Sequence, residues 1–204
     1  LALTSATFGV AMGAGSDATR AIAQLILLNN DFGVLPDVIA EGRRVISNME
    51  RTANLFITKT TYAFLLVLAV QVARVPFPFL PRHLTIISFF TIGIPALLLS
   101  FAKSDARAKP GFVSRVLGFS VPMGAMLAGL TLIAYAFIRQ YLPFDMAFAR
   151  TGATITLVIC GFSVLFLLEP KTNIWQRLMT ILLIIAFALV LIVPASQHFF
   201  AFRS

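Results

Sequence analysis

Residues 55–75, from Leu55 to Val75, read L-F-I-T-K-T-T-Y-A-F-L-L-V-L-A-V-Q-V-A-R-V. This stretch decides the fold. Only Lys59 and Arg74 carry charge in it. Wound as a helix at 1.5 Å per residue it reaches about 31 Å, the depth of a hydrocarbon layer. Four further apolar runs follow: Leu84–Phe101, Val116–Ile138, Thr151–Leu168 and Leu178–Ala195. Lipid offers no hydrogen bonds, so each run must satisfy its own backbone and is expected to be helical. A barrel would need short alternating segments, and there are none.

The whole chain agrees with that reading. It has 204 residues, 59% of them apolar and 12% charged, with a mean hydropathy of +0.93. A soluble domain is about half apolar and about a quarter charged, so that class is excluded. A single cysteine, Cys160, excludes a disulfide scaffold. Net charge is +8, but the basic residues sit in short loops between apolar runs, which argues for membrane topology and against nucleic acid.

The loops set an orientation. Arg20, Arg43, Arg44 and Arg51 precede the first span; Lys103, Arg107, Lys109 and Arg115 fill the second loop; Lys171 and Arg177 lie in the fourth. The opposite side holds Arg74, Arg82, Arg139, Arg150 and Arg203. Lys59 lies inside a span and is left aside. The heavier side faces the cytoplasm. The expectation is a multi-pass protein of the plasma (bacterial inner) membrane, N-terminus cytoplasmic and C-terminus outside. The first residues lack the basic start and apolar core of a signal peptide.

Residues 1–53 hold five of the eight acids, Asp17, Asp31, Asp37, Glu41 and Glu50, and read as water-facing. Phe8–Met12 predicts a strand, Gly13-Ala14-Gly15 a turn, Ser16 or Asp17 the cap of a helix to about Ala23, and Leu25–Leu28 a second strand. This β-turn-α-β piece is expected to close a larger α/β domain. From Asp37 apolar residues recur at helical spacing, and no proline intervenes between Pro36 and Pro76. One helix of about 39 residues and about 58 Å is expected, half in water and half in lipid. Such a helix can act as a lever, with Gly42 a soft point. The predicted division is 1–36 for the α/β remnant, 37–54 for a stalk and 55–204 for the membrane part.

The stretch Gly9–Arg20, G-V-A-M-G-A-G-S-D-A-T-R, followed by Ala23–Phe32, A-Q-L-I-L-L-N-N-D-F, resembles the end of the phosphorylation domain of P-type cation-transporting ATPases. Leu1-Ala2-Leu3 fits the residues after that family's G-D-G-x-N-D loop. Ser88–Leu97, S-F-F-T-I-G-I-P-A-L, is similar to its sixth transmembrane helix. The T-I-G-I-P form resembles a bacterial subgroup that includes the mycobacterial calcium-linked ATPases. The likeness implies that residues 1–36 end a HAD-like domain and that the five spans are the fifth to ninth helices. It implies an ATP-driven cation pump, with ATP and magnesium used by the parent and none bound by this chain alone. The partners implied are the lipid bilayer, a transported cation with calcium as the guess, and an N-terminal part of the pump. The D-K-T-G phosphorylation loop would lie in that part, so no catalytic residue is expected here and the chain alone is expected to be inactive.

The sequence departs from the family where ions bind. The sixth-helix Asp position is Ile92, and the fifth-helix positions fall near Lys59 and Tyr62. No Asp or Glu occurs in the five spans. Hard cations want oxygen ligands, so the ion-path candidates are Lys59, Thr60, Tyr62, Ser88 and Thr91, with Gly93 and Pro95 loosening the helix around them. No metal site is assigned. The phosphorylation-domain loop candidates are Gly13, Gly15, Ser16 and Asp17, as a phosphate cradle or as a structural turn. Lys59 either snorkels to the surface or serves as an internal counter-ion. Gln71 is expected to bond between helices, and Ala125 and Gly129 to allow close packing. Trp175, Tyr141 and the pair Phe77 and Phe79 suit an aromatic belt. The alternative to a pump is a non-enzymatic membrane protein, either a pump-derived pseudo-subunit or a degenerate fragment.

Overall fold

The computed structural model describes residues 5–100, 110–141, 145–168, 174–194 and 199–200. Leu1–Leu3, the loop cations Lys103, Arg107, Lys109, Lys171 and Arg203, and His198 lie outside the described residues. The chain divides into two compact units, Leu1–Arg43 and Arg44–Ser204.

In the first unit, β1 (Val10–Met12) and β2 (Leu25–Leu27) pair in parallel, with Val10 opposite Leu25 and Met12 opposite Leu27. A parallel pair needs a crossover, and α1 (Asp17–Ile22) supplies it. Ser16 caps that helix: its hydroxyl accepts from the Thr19 amide at 3.3 Å. Asp17 in the first turn pairs with Arg20. Asn30, at φ 55°, stands in the turn after β2.

Helix α2 (Leu35–Ala73) is a single 39-residue helix of the predicted length, begun and ended two residues before the predicted 37–75. After it come α3 (Pro81–Ser88), a π-helical turn (Phe89–Gly93), α4 (Ile94–Ser100), α5 (Phe112–Tyr141), α6 (Met146–Leu168) and α7 (Ile174–Ile192). Among the described residues four stretches are long and apolar enough to cross a membrane: Phe32–Ala73, Pro81–Leu99, Phe112–Tyr141 and Met146–Leu168. The fifth predicted span is matched by a shorter apolar helix, Arg177–Ile192.

Lipid tails are as apolar as leucine, so close packing and hydrogen bonds must hold such helices together. Both are visible. Gly124 of α5 lies so near α2 that a Cβ there would stand 2.5 Å from Thr61 Cβ and 2.9 Å from the Thr58 carbonyl oxygen. Close approach therefore falls at Gly124; Ala125 is exposed and Gly129 faces open space, one helical phase off the expected pair. Above Gly124, buried Ser120 bonds both the Asn54 carbonyl (3.2 Å) and Asn54 Oδ1 (2.9 Å). Arg115 grips Glu50 with two bonds, Nε–Oε1 2.9 Å and Nη2–Oε2 2.8 Å. Phe90, Phe162 and Phe187 join the π turn, α6 and α7 edge to face.

Two expected interface residues sit elsewhere. Phe79 is buried against Phe77 as part of the core. Gln71 is exposed. His83 is fully buried; its Nδ1 accepts from the Leu80 amide (3.4 Å), so its Nε2 donates to the Phe200 carbonyl (2.8 Å).

Candidate functional site

The glycine turn and the membrane cavity are the two places where the sequence candidates gather. In the turn, Gly13 N–H donates to the Leu27 carbonyl at 2.8 Å, Ala14 N–H to Asn30 Oδ1 at 3.0 Å, and Gly15 N–H to the Met12 carbonyl at 2.9 Å. A phosphate cradle needs free amides aimed at the anion, and these three are engaged within the unit. Gly13 is required by proximity: a Cβ would stand 2.6 Å from the Leu28 carbonyl oxygen. Ser16 caps α1 and Asp17 pairs with Arg20, so both side chains also have local structural partners.

The second place is built by one face of α2. Leu55, Thr58, Tyr62, Leu66 and Val70 are buried at helical spacing. The same face meets the π turn. Pro95 has no N–H to donate back along the helix, and the hydrogen-bond ladder widens just before it. Ile94 N–H reaches five residues back to Phe89. The extra residue in the turn brings Phe90, Thr91 and Ile92 inward together. Such π turns recur at functional sites.

Between these elements lies a cavity of about 20 Å³, lined by Thr58, Lys59 and Tyr62 of α2, Thr91 and Ile92 of the π turn, and Gly161 of α6, among others. A water needs about 10–15 Å³ by this measure, so there is room for one small guest. Thr58 is 3% exposed, and its Oγ1 is buried without a hydrogen-bond partner. A buried hydroxyl left so costs about 1–3 kcal/mol. Thr91 donates its hydroxyl hydrogen to the Ile87 carbonyl at 2.7 Å, which leaves its lone pairs available to a guest. Gly161 keeps the wall thin: a Cβ there would meet Thr91 Cγ2 at 2.7 Å.

Lys59 is half-buried on the same wall. Its ammonium donates to Ser88 Oγ at 2.9 Å, and Ser88 donates onward to the Leu84 carbonyl at 2.6 Å. The structure thus brings Lys59, Tyr62, Ser88 and Thr91 together. Thr60 does not join them; it is exposed and bonds the Phe56 carbonyl at 3.0 Å. Gly93 is exposed and Pro95 buried, and neither lines the cavity. Among the described residues no cluster of three or more His, Cys, Asp or Glu side chains exists.

No family model matches the chain. Individual relatives do. It is 41% identical to the calcium-transporting ATPase CtpE of Mycolicibacterium smegmatis and 43% identical to that of Mycobacterium bovis, each match covering 98% of this chain and 27% of the relative. A probable cation-transporting ATPase, exp7, of Streptococcus pneumoniae is 34% identical over 67% of this chain and 19% of its own length. The chain belongs to the P-type cation-transporting ATPases.

This P-type ATPase chain spans about a quarter of the length of the curated relatives it matches. The polar cavity residue outside the sequence candidates is Thr58. Its signal was present: Thr58, Tyr62, Leu66 and Val70 repeat every four residues, a phase that selects Thr58 and rejects Thr60.

Proposed function

We propose that the chain is the C-terminal portion of an ATP-driven cation pump, with calcium as the cargo. In this reading residues 1–36 are the end of a cytoplasmic, HAD-like phosphorylation domain and 37–54 a stalk. The 37–75 segment carries its movements to an ion path between the first two spans. The C-terminus then lies outside a bacterial plasma membrane. ATP and magnesium act on an N-terminal part of the pump, because this sequence holds no D-K-T-G. The named relatives support the calcium assignment.

The observation that carries the reading is the cavity on α2 with its unpartnered Thr58 hydroxyl. Thr58, Tyr62 and Thr91 offer hydroxyl oxygens, the donor type a hard cation prefers. Lys59 places a positive charge on the same wall, so cation and ammonium repel when both are present. The ammonium is held by a neutral hydroxyl, which it can leave at small cost. The pump therefore has a means of weakening its hold on a cation by returning Lys59 to the cavity.

The test uses the protein as the cell makes it, in inverted membrane vesicles given ATP. ATP-driven accumulation of calcium, ahead of magnesium, manganese or potassium, is expected. Accumulation of a different cation would correct the cargo. No ATP-driven cation movement at all would overturn the reading. The 204-residue chain by itself is expected to hydrolyse no ATP.

A further inference from the structure

A groove of about 550 Å³ opens where α2 and α5 both end. Its walls include Ala69 and Ala73 of α2 with Leu132 and Ala136 of α5, and Arg139 and Gln140 line it too. We infer that this groove is a binding site for one anionic phospholipid, an acyl chain between the two helices and the phosphate on Arg139 and Gln140.

Three observations point there. The first is the shape. Three alanines hollow the space between two helices long and apolar enough to cross a membrane, and apolar pockets of this size bury ligand-sized groups. The groove also has a fixed end. Tyr135 is 2% exposed, lines the groove, and donates to the Pro76 carbonyl at 3.1 Å beside the Met146 sulfur at 3.3 Å. Its ring therefore cannot swing into the space and fill it.

The second is the charge. Any apolar face of a membrane protein meets lipid tails. What makes this groove selective is a cation and an amide at its end, with no acid in its lining. Arginine holds a phosphate with two parallel hydrogen bonds, and an arginine at a helix end lies at headgroup level.

The third is Arg74. It follows Ala73 and precedes Val75, both groove residues, and it is exposed. Its backbone stands at φ 51°, the left-handed region that favours glycine. An arginine there adds a second cation to the segment that borders the groove.

The inference rests only on α2 and α5 being membrane spans, not on pumping. The experiment is native mass spectrometry of the protein as the cell makes it, released from detergent after exposure to phosphatidylglycerol, phosphatidylcholine or inorganic phosphate. Phosphatidylglycerol is expected to be retained in preference to phosphatidylcholine, and phosphate alone not at all. Each basic residue near a lipid surface contributes about fivefold in affinity, so Arg139→Gln is expected to reduce the preference about fivefold. Ala136→Phe fills the groove and is expected to abolish retention of both lipids, while Ile133→Phe, on α5 but outside the lining, leaves it intact. Equal retention of the two lipids by the parent protein would overturn the inference. So would unchanged retention in both Arg139→Gln and Ala136→Phe, or binding of phosphate as strong as that of the lipid.

Discussion

Two glycines five residues apart on α5 should respond in opposite directions to the same change. At Gly124 a methyl group would stand 2.5 Å from Thr61 Cβ, 2.8 Å from Thr61 Cγ2 and 2.9 Å from the Thr58 carbonyl oxygen. Carbon atoms settle at about 3.5–4.0 Å, so α2 and α5 must part by about 1 Å. No rotamer relieves this. The nearest atom is a Cβ, the third is backbone, and the Thr61 hydroxyl is tied to the Ile57 carbonyl at 2.9 Å. Overpacking of this kind costs about 1–3 kcal/mol. Alanine is favoured over glycine within a helix by about 0.5–1 kcal/mol, so Gly124→Ala should destabilise by up to about 2.5 kcal/mol. At Gly129 nothing lies within 4 Å. Only the helix preference operates there, and Gly129→Ala should stabilise by about 0.5–1 kcal/mol. The assay is thermal unfolding of the detergent-purified protein. Domains of this size shift by about 2–4 °C per kcal/mol, so Gly124→Ala should melt at least about 2 °C below Gly129→Ala. Equal midpoints, or the reverse order, would refute the packing of α5 on α2.

Other outcomes follow from the same structure. Ser120→Ala withdraws a buried donor from the Asn54 carbonyl and Oδ1; a loss of about 1–2 kcal/mol is expected in the same melts. The Glu50 and Arg115 side chains are 26% and 30% exposed, so a double-mutant cycle with Glu50→Gln and Arg115→Gln should give a coupling of about 1 kcal/mol or less, smaller still in high salt. Gly13→Ala presses a methyl group against the Leu27 and Leu28 carbonyls; faster hydrogen exchange at the Gly13 amide, which donates to Leu27, is expected.

Much of this architecture was legible because hydropathy changes sharply along the chain. The apolar runs marked the helices. The contrast between Val10–Met12, the glycine turn and Leu25–Leu27 marked the strand-helix-strand piece. Gly93 and Pro95 marked the altered turn, although its π-helical form is a detail of backbone spacing that residue types do not specify. The rotation of each helix was harder to read. A helix in water betrays its buried face by polarity. In lipid both faces are apolar, so Ala125 and Gly129 looked as suited to close packing as Gly124. For the same reason Thr60 looked as suited to the ion path as Thr58, though its hydroxyl turns back to the Phe56 carbonyl. Phe79 suited an aromatic belt by position alone, yet the loop after α2 folds it into the core.

If the cavity on α2 receives the transported cation, the buried hydroxyl of Thr58 sets how much calcium uptake requires. Thr58→Val keeps the shape and removes the unpartnered buried oxygen. Freed of that cost, the fold should gain about 1–2 kcal/mol. The decisive measurement is the calcium concentration giving half-maximal ATP-driven uptake into inverted vesicles, for Thr58→Val beside Thr60→Val. A several-fold higher requirement is expected in Thr58→Val, in a protein at least as heat-stable as the parent, with no change in Thr60→Val. Equal calcium requirements in the parent and Thr58→Val would contradict it.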